Sequence, residues 1–166
     1  MVGYFVFDAL VGNTDRHHEN WGVVLKPFLM QSVEPGLEPQ MKIQAKLAPT
    51  FDHGSSLGRE LLDDHARCLL ADPKEIVRYI HKAKGGIFEN ELARKGLPPM
   101  ALVELIAATY PKFVEPWQNR IASLPEDFAA PLIADIPASC MSEANRVFVL
   151  AFLRETRKLI LSIPSS

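Results

Sequence analysis

The stretch GNTDRHHENWG, residues 12–22, determines how this chain is interpreted, because it is almost entirely polar and follows a segment dense in apolar residues. That preceding segment, residues 2–11, is interrupted only by Asp8 and is predicted to be a buried element, either helix or strand. A second polar stretch, PTFDHGSS, occupies residues 49–56. Clusters of polar residues between apolar segments indicate turns. The chain is therefore predicted to have two polar turns, one at each end of the segment that joins them.

Two segments between these turns have strand character. Trp21–Leu25 is a short apolar run, and Ile43–Leu47 alternates apolar and polar residues as a half-buried strand does. The intervening residues 26–40 contain three prolines and a glycine and are predicted to form a long connection. The two segments are therefore predicted to pair as an antiparallel β-hairpin that brings both polar turns to one edge.

The rest of the chain is predicted to be helical. Asp72 and Pro73 are typical of a helix start, Pro98–Pro99 opens a second helix, and residues 111–123 form a third. Ser142 is predicted to cap a final helix that ends near Leu161. Helical spacing predicts that four of its side chains face the core, namely Val147, Leu150, Leu153 and Ile160. The predicted fold is a single domain, residues 1–166, of the α+β class, mainly helical, with a small hairpin that carries the active-site loops.

Composition argues against several classes of function. Hydrophobic residues make up 48% and charged residues 23%, which is typical of a globular domain, and the net charge of −2 gives no basic stripe for nucleic acid. The apolar segment 2–11 is too short to cross a bilayer, so no membrane partner is predicted. Cys68 and Cys140 form no metal-type cluster and are predicted to be small core residues in a reduced, cytoplasmic setting.

The spacing of acidic and amide residues in the two turns is typical of phosphoryl transfer to a hydroxyl. Asp15 is the candidate base that accepts the proton of the attacking hydroxyl. Asn20, five positions later, and Asp52, after the hairpin, are candidate oxygen ligands for Mg²⁺. Asp and Asn also stabilise turns through their own side chains, so either turn alone would carry little information. The two turns at this spacing around a hairpin are much more specific.

These residues resemble the C-terminal kinase domain of the HipA-like family, which are bacterial serine/threonine kinases, many of them toxins of toxin–antitoxin pairs. The strong motif match covers residues 7–57, and the DRHxxN core is also similar to the catalytic loop of phosphatidylinositol kinases. The resemblance implies the C-terminal lobe of a protein-kinase-like fold, with ATP and Mg²⁺ as cofactors. It further implies that Asp15 is the catalytic aspartate and that Asn20 and Asp52 bind the metal and the nucleotide.

His17 follows the candidate base by two positions, where protein kinases often place a lysine near the transferring phosphate. A protonated His17 is therefore a second candidate catalytic residue. The alternative is that His17 supports the loop through a hydrogen bond, and the sequence leaves both roles open.

Members of the family carry an N-terminal lobe that grips ATP, whereas no Gly-rich loop is present in this sequence. The chain is therefore interpreted as the catalytic half of a kinase, incomplete or inactive alone, with weak affinity for ATP. The expected partners are a protein with a Ser/Thr hydroxyl as substrate and a separate N-lobe chain or an antitoxin. The alternative is a non-catalytic kinase-lobe remnant that binds another protein through an exposed face at Val2–Val11 or its neighbours.

Overall fold

A computed structural model describes residues 1–30 and 40–164. The chain divides into two compact units. One unit combines residues 1–16 with the chain from His53 onward and is helical, and the other comprises His17–Asp52 and contains the hairpin. Most of the predicted connection between the strands, residues 31–39, lies outside the described residues.

The described part of the helical unit contains seven α-helices in chain order. They are α1 (Val2–Val11), α2 (Asp63–Leu70), α3 (Pro73–Lys82), α4 (Pro99–Thr109), α5 (Pro111–Ala122), α6 (Ala130–Ala134) and α7 (Glu143–Ser162). The predicted helix starts at Asp72 and Ser142 are confirmed, because each side chain accepts a backbone N–H of the first turn that it caps. Helices α2 and α6 are additional to the predicted set.

The apolar segment at the start of the chain is a helix, α1, and it lies in the core. Val6, Ala9 and Leu10 are buried, and the helix packs against α4, α5 and α7. Gly12 ends it in the left-handed conformation, with a φ of 66°, which a glycine adopts without steric cost. The prediction that Val2–Val11 presents an exposed docking face is wrong, because most of its apolar surface is used inside the domain.

The long helix α7 forms the other side of the core. Phe148 and Ile160 are completely buried, whereas Val147 is 45% exposed, so the prediction that Val147 faces inward is wrong. Leu153 and Ile160 are buried as predicted, and because a helix advances by about 100° per residue, the core-facing stripe runs through Phe148, Phe152 and Thr156 and leaves Val147 outside it. The prediction that Cys68 and Cys140 are small core residues is also wrong, because both are exposed; both are free thiols.

The hairpin unit contains a 3₁₀ turn, His18–Asn20, followed by β1 (Val23–Met30) and β2 (Gln40–Leu47). The strands pair antiparallel from Val23 opposite Leu47 to Met30 opposite Gln40, which confirms the predicted pairing. Strand β1 extends through Pro27 to Met30, so residues 26–30, which were predicted to be part of the connection, belong to the strand. Pro27 is tolerated because each strand of a two-stranded sheet has one outer edge, where a missing N–H leaves no ladder bond unmade.

The two faces of this hairpin differ in composition. Every residue of both strands is exposed. Successive residues of a strand alternate between faces, and directly opposed residues share one. One face, here called the apolar hairpin face, therefore carries Val23, Leu25, Pro27, Leu29, Met41, Ile43, Ala45 and Leu47. The opposite face carries Val24, Lys26, Phe28, Met30, Gln40, Lys42, Gln44 and Lys46.

The position of the buried stripe on α7 gives a stability test. Replacing the buried Phe148 by alanine in Phe148→Ala is expected to lower the free energy of unfolding by about 3–5 kcal/mol, because it leaves a cavity in the core. The neighbouring Val147→Ala is the control and is expected to change it by less than about 0.5 kcal/mol. Urea unfolding followed by circular dichroism measures both. Equal losses for the two variants would contradict this orientation of α7.

Candidate functional site

A buried ion pair fixes the first polar turn to the helical unit. Arg16 donates from Nε to Asp8 Oδ2 and from Nη2 to Asp8 Oδ1, each at 2.8 Å, and both side chains are 3% exposed. Asn13 Nδ2 donates to the same Asp8 Oδ1 at 2.9 Å, and Asn13 is fully buried. The Asp8 carboxylate thus accepts three hydrogen bonds, two from the Arg16 guanidinium and one from the Asn13 amide, and these compensate for its removal from water.

Asp15 lies between two of these anchored residues. Its backbone N–H donates to Asn13 Oδ1 at 3.2 Å, and Arg16 follows it directly in the chain. The Asp15 side chain is exposed, whereas both flanking anchors are buried. The turn therefore presents the Asp15 carboxylate at the surface of the helical unit on a backbone that buried hydrogen bonds hold in place.

Asp8 is the residue that sequence reasoning missed. In the sequence Asp8 is only an interruption of the apolar segment, and Arg16 is open to two interpretations, a pairing with a nearby carboxylate or an exposed position in the loop. Two features point to the pair: a single charged residue within an otherwise apolar helix, and an arginine in the turn that follows it. A carboxylate at such a position needs a buried cationic partner, and the arginine supplies one.

His53 also lies in the helical unit. Its Nδ1 is 4.0 Å from Asp8 Oδ1, and its ring contacts the Phe7 ring edge-on at a centroid distance of 5.0 Å. The backbone of the second turn is joined to the first turn within this unit, because Thr14 N donates to Ser55 O at 3.5 Å. Parts of both predicted turns therefore contact each other around Asp8.

The hairpin unit brings together the two predicted metal ligands. Asn20 Nδ2 donates to Asp52 Oδ2 at 2.7 Å, although the residues are 32 positions apart in the chain. Asn20 Oδ1 accepts the backbone N–H of His17 at 3.0 Å. That donor fixes which end of the amide is oxygen, because the opposite orientation would set two N–H groups against each other.

The two ligand positions are joined through the base of the hairpin. Ala48 N donates to Gly22 O at 2.9 Å, which extends the strand ladder one step beyond Val23 and Leu47 toward the Asn20–Asp52 contact. Asp52 itself has a φ of 58°, in the left-handed region. Strained backbone of this kind persists where surrounding contacts enforce it and clusters at functional sites.

His17 caps the 3₁₀ turn that contains Asn20. Its Nδ1 accepts the backbone N–H of Glu19 at 3.3 Å, and its own backbone N–H is bound by the Asn20 side chain. These reciprocal bonds match the supporting role that the sequence left open. A catalytic role for His17 stays a prediction.

The four predicted site residues are thus distributed over both units. Asn20, Asp52 and His17 belong to the hairpin unit and are linked by hydrogen bonds, and Asp15 belongs to the helical unit. The Asn20 amide and the Asp52 carboxylate offer hard oxygen atoms, which is the donor chemistry that Mg²⁺ prefers. Mg²⁺ commonly takes one or two protein ligands and fills its remaining positions with water and phosphate, so this pair fits the ion.

A small cavity in the helical unit lies next to the Asp15 turn. Its volume is about 160 Å³, and Thr14, Ser55 and Tyr79 are among the residues that line it. Burial raises the pKa of the Tyr79 hydroxyl above its usual value, so this group stays protonated at neutral pH. Ligand pockets usually exceed roughly 300 Å³, and this cavity is therefore too small to enclose a nucleotide.

The mainly helical architecture with its antiparallel hairpin is a kinase-like fold. The chain is similar to the crystal structure of the Helicobacter pylori proinflammatory kinase CtkA, with a TM-score of 0.69 and 21% sequence identity over 98% of this chain. It spans 50% of the length of that kinase chain. No protein-family model and no curated protein matches the sequence. Within the described residues, no helix is both long enough and apolar enough to cross a membrane.

The buried ion pair gives a second prediction. The Asp8→Ala variant leaves the Arg16 guanidinium buried without a counter-charge and is expected to lower the free energy of unfolding by about 3–5 kcal/mol. Asp64→Ala removes one of the two exposed acidic partners of Arg67 and is expected to cost less than about 1 kcal/mol. Urea unfolding of both variants measures the difference. Similar small losses would show that the Asp8–Arg16 pair does not hold the turn.

Proposed function

We propose that this chain is the metal-binding and catalytic half of an ATP-dependent protein kinase of the HipA-like kind, which transfers phosphate to a serine or threonine hydroxyl. The observation that carries the proposal is the hydrogen bond between Asn20 and Asp52. It joins the two residues that the motif identifies as candidate Mg²⁺ ligands, although they are 32 positions apart in the chain. The kinase-like fold supports the same assignment.

In this mechanism Asp15 is the general base. Its carboxylate accepts the proton of the substrate hydroxyl while the hydroxyl oxygen forms a bond to the γ-phosphorus of ATP. The bond from that phosphorus to the bridging oxygen breaks, and the electron pair leaves with ADP. The buried Asp8–Arg16 pair keeps the turn fixed, so that the carboxylate is held in position before substrate binds.

Asn20 Oδ1 and the Asp52 carboxylate are the proposed protein ligands of Mg²⁺. Bound Mg²⁺ offsets the negative charge of the phosphates. His17 caps the turn from which Asn20 extends and so orients the amide oxygen. The left-handed backbone at Asp52 directs its carboxylate toward Asn20, and only a few residue types tolerate that conformation.

The phosphate acceptor is proposed to be a protein, and the remaining contacts to ATP are proposed to come from an N-terminal lobe, as part of a longer chain or as a separate partner. The similarity to a kinase chain about twice as long supports this arrangement. The 160 Å³ cavity in the helical unit does not replace such a lobe, because it is too small for a nucleotide.

A second candidate function is a non-catalytic, protein-binding kinase lobe. The exposed apolar hairpin face favours it, since exposed apolar surface of this extent marks interaction sites. The two functions differ in whether Asn20 and Asp52 bind a divalent cation, and a metal-binding measurement therefore separates them.

Metal binding is tested with Mn²⁺ as a paramagnetic substitute for Mg²⁺, followed by electron paramagnetic resonance on the purified chain. Asp52→Asn retains an acceptor for Asn20 and tolerates the left-handed backbone, but it loses the charge. It is expected to weaken Mn²⁺ binding at least about tenfold, since a carboxylate is the stronger ligand. Glu19→Gln removes an exposed charge from the same turn as Asn20 and is the control. Equal effects of the two variants, or no Mn²⁺ binding at all, would contradict the proposed metal site.

The role of Asp15 is tested in the assembled kinase, with the ATP-gripping lobe supplied. Asp15→Asn keeps the shape of the side chain but cannot accept a proton. Phosphate transfer from labelled ATP is expected to fall by about a hundredfold or more. Calorimetry is expected to show unchanged Mg·ATP binding. If transfer persists in Asp15→Asn, Asp15 is not the base.

A further inference from the structure

The 160 Å³ cavity beside the Asp15 turn has an apolar floor. Ile80, Met100 and Phe152 line it, and their exposed fractions are 4%, 1% and 2%, since all three also belong to the core of the helical unit. The residues that line the cavity lie in the helical unit, and one of them is Thr14, which precedes Asp15 directly. The cavity is partly open, so a group from another molecule can enter it beside the candidate base.

The wall that Tyr79 forms is held in place by aromatic contacts. The Tyr79 ring packs edge-on against Phe148 at a centroid distance of 5.7 Å and against Phe152 at 6.2 Å. Such T-shaped pairs add stability beyond the area that they bury. Both phenylalanines are buried in α7. The wall therefore keeps its position, and the cavity is formed before a ligand arrives, as is usual for binding sites.

The volume of the cavity limits its occupant to about one side chain. An engineered apolar cavity of roughly 150 Å³ takes up one benzene molecule. A cavity of 160 Å³ therefore has room for a leucine, methionine or phenylalanine side chain. The exposed charged residues that line it, Arg59 and Glu60, form an ion pair with each other. A charged occupant would lose water at the apolar floor without gaining a partner there, so the cavity favours an apolar one.

We propose that this cavity binds an apolar side chain of the protein substrate and so selects substrates with leucine, methionine or phenylalanine close to the accepting hydroxyl. The inference rests on the proposed function, in which Asp15 contacts that hydroxyl. Thr14 lines the cavity, and consecutive Cα atoms are about 3.8 Å apart. An extended peptide advances about 3.3 Å per residue, so the bound side chain lies within about three positions of the phosphorylated serine or threonine. Removal of its apolar surface from water supplies the affinity.

The cavity is tested first without catalysis, by ¹H–¹⁵N nuclear magnetic resonance on the purified 166-residue chain. The probe is N-acetyl-leucine methylamide, and N-acetyl-glycine methylamide, which lacks the side chain, is its control. Saturable shifts of the Thr14 and Tyr79 amide signals are expected for the leucine probe and not for the glycine probe. Ala83→Leu fills the cavity from a residue that lines it and is expected to weaken binding of the leucine probe at least about tenfold.

Ala71→Leu is the matched control for this substitution. Ala71 ends α2 as Ala83 ends α3, but it is not among the described residues that line the cavity, so binding is expected to be unchanged. Thermal unfolding by circular dichroism shows whether both variants are folded, and Ala83→Val, a smaller addition, is expected to weaken binding by a smaller factor. No saturable shift for the leucine probe, equal shifts for both probes, or equal binding to Ala83→Leu and Ala71→Leu would overturn the proposal.

The substrate preference is tested in the assembled kinase with a peptide library that has one central serine and varied flanking positions. Phosphorylated peptides are expected to be enriched in leucine, methionine or phenylalanine at one position within about three of the serine. Ala83→Leu is expected to shift that preference to glycine or alanine, whereas Ala71→Leu retains it. A preference that Ala83→Leu leaves unchanged, or none at all, overturns the proposal. Absence of any phosphorylation contradicts the proposed function, whereas lost probe binding with intact phosphorylation contradicts only the assignment of the cavity.

Discussion

The buried ion pair between Asp8 and Arg16 is the constraint on which the conformation of the turn that presents Asp15 depends. Asp8 belongs to helix α1, which packs against three other helices, and Arg16 belongs to the turn that presents Asp15. Their two hydrogen bonds therefore fix the turn to the helical core. Both groups have been removed from water, so the pair tolerates no alternative arrangement in which either charge is left alone. This is a physical reason for a polar loop to adopt one conformation.

The hairpin unit achieves comparable order by a different route. Asn20 and Asp52 are brought together by an antiparallel ladder whose strands are joined by a long connection, and the entropy cost of closing that loop is offset by eight residue pairs. Hydrogen bonds in the turn then set the side chains, since the His17 N–H orients the Asn20 amide. The helical unit thus uses one buried charge pair, and the hairpin unit uses many weak, exposed bonds. The second arrangement opens more easily, because its strands bury little apolar surface.

Local sequence signals account for the elements that were predicted correctly. The start of α3 follows from the Asp72 side chain and Pro73, and the hairpin follows from the alternation at Ile43–Leu47. Both depend on a few adjacent residues. On α7, Leu153 and Ile160 were correctly predicted to face the core. Val147 was misplaced because it and Phe148 are both apolar, and only the neighbouring helices determine which one is buried. The Asn20–Asp52 contact was predicted through a motif, whereas Asp8 was missed because its partner lies eight positions away in a different type of element.

The alternation that predicted the hairpin also shows what sequence patterns cannot determine. A period of two identifies which residues of β1 and β2 share a face, and the structure confirms that pairing. It does not determine what covers the face, because an apolar surface contributes the same signal whether it is packed inside a domain or against another molecule. The core that the described residues form is built by helices such as α1 and α7. Hydrophobic stabilisation is proportional to the apolar area removed from water, so the exposed apolar residues of the hairpin stabilise the fold only when a second surface meets them.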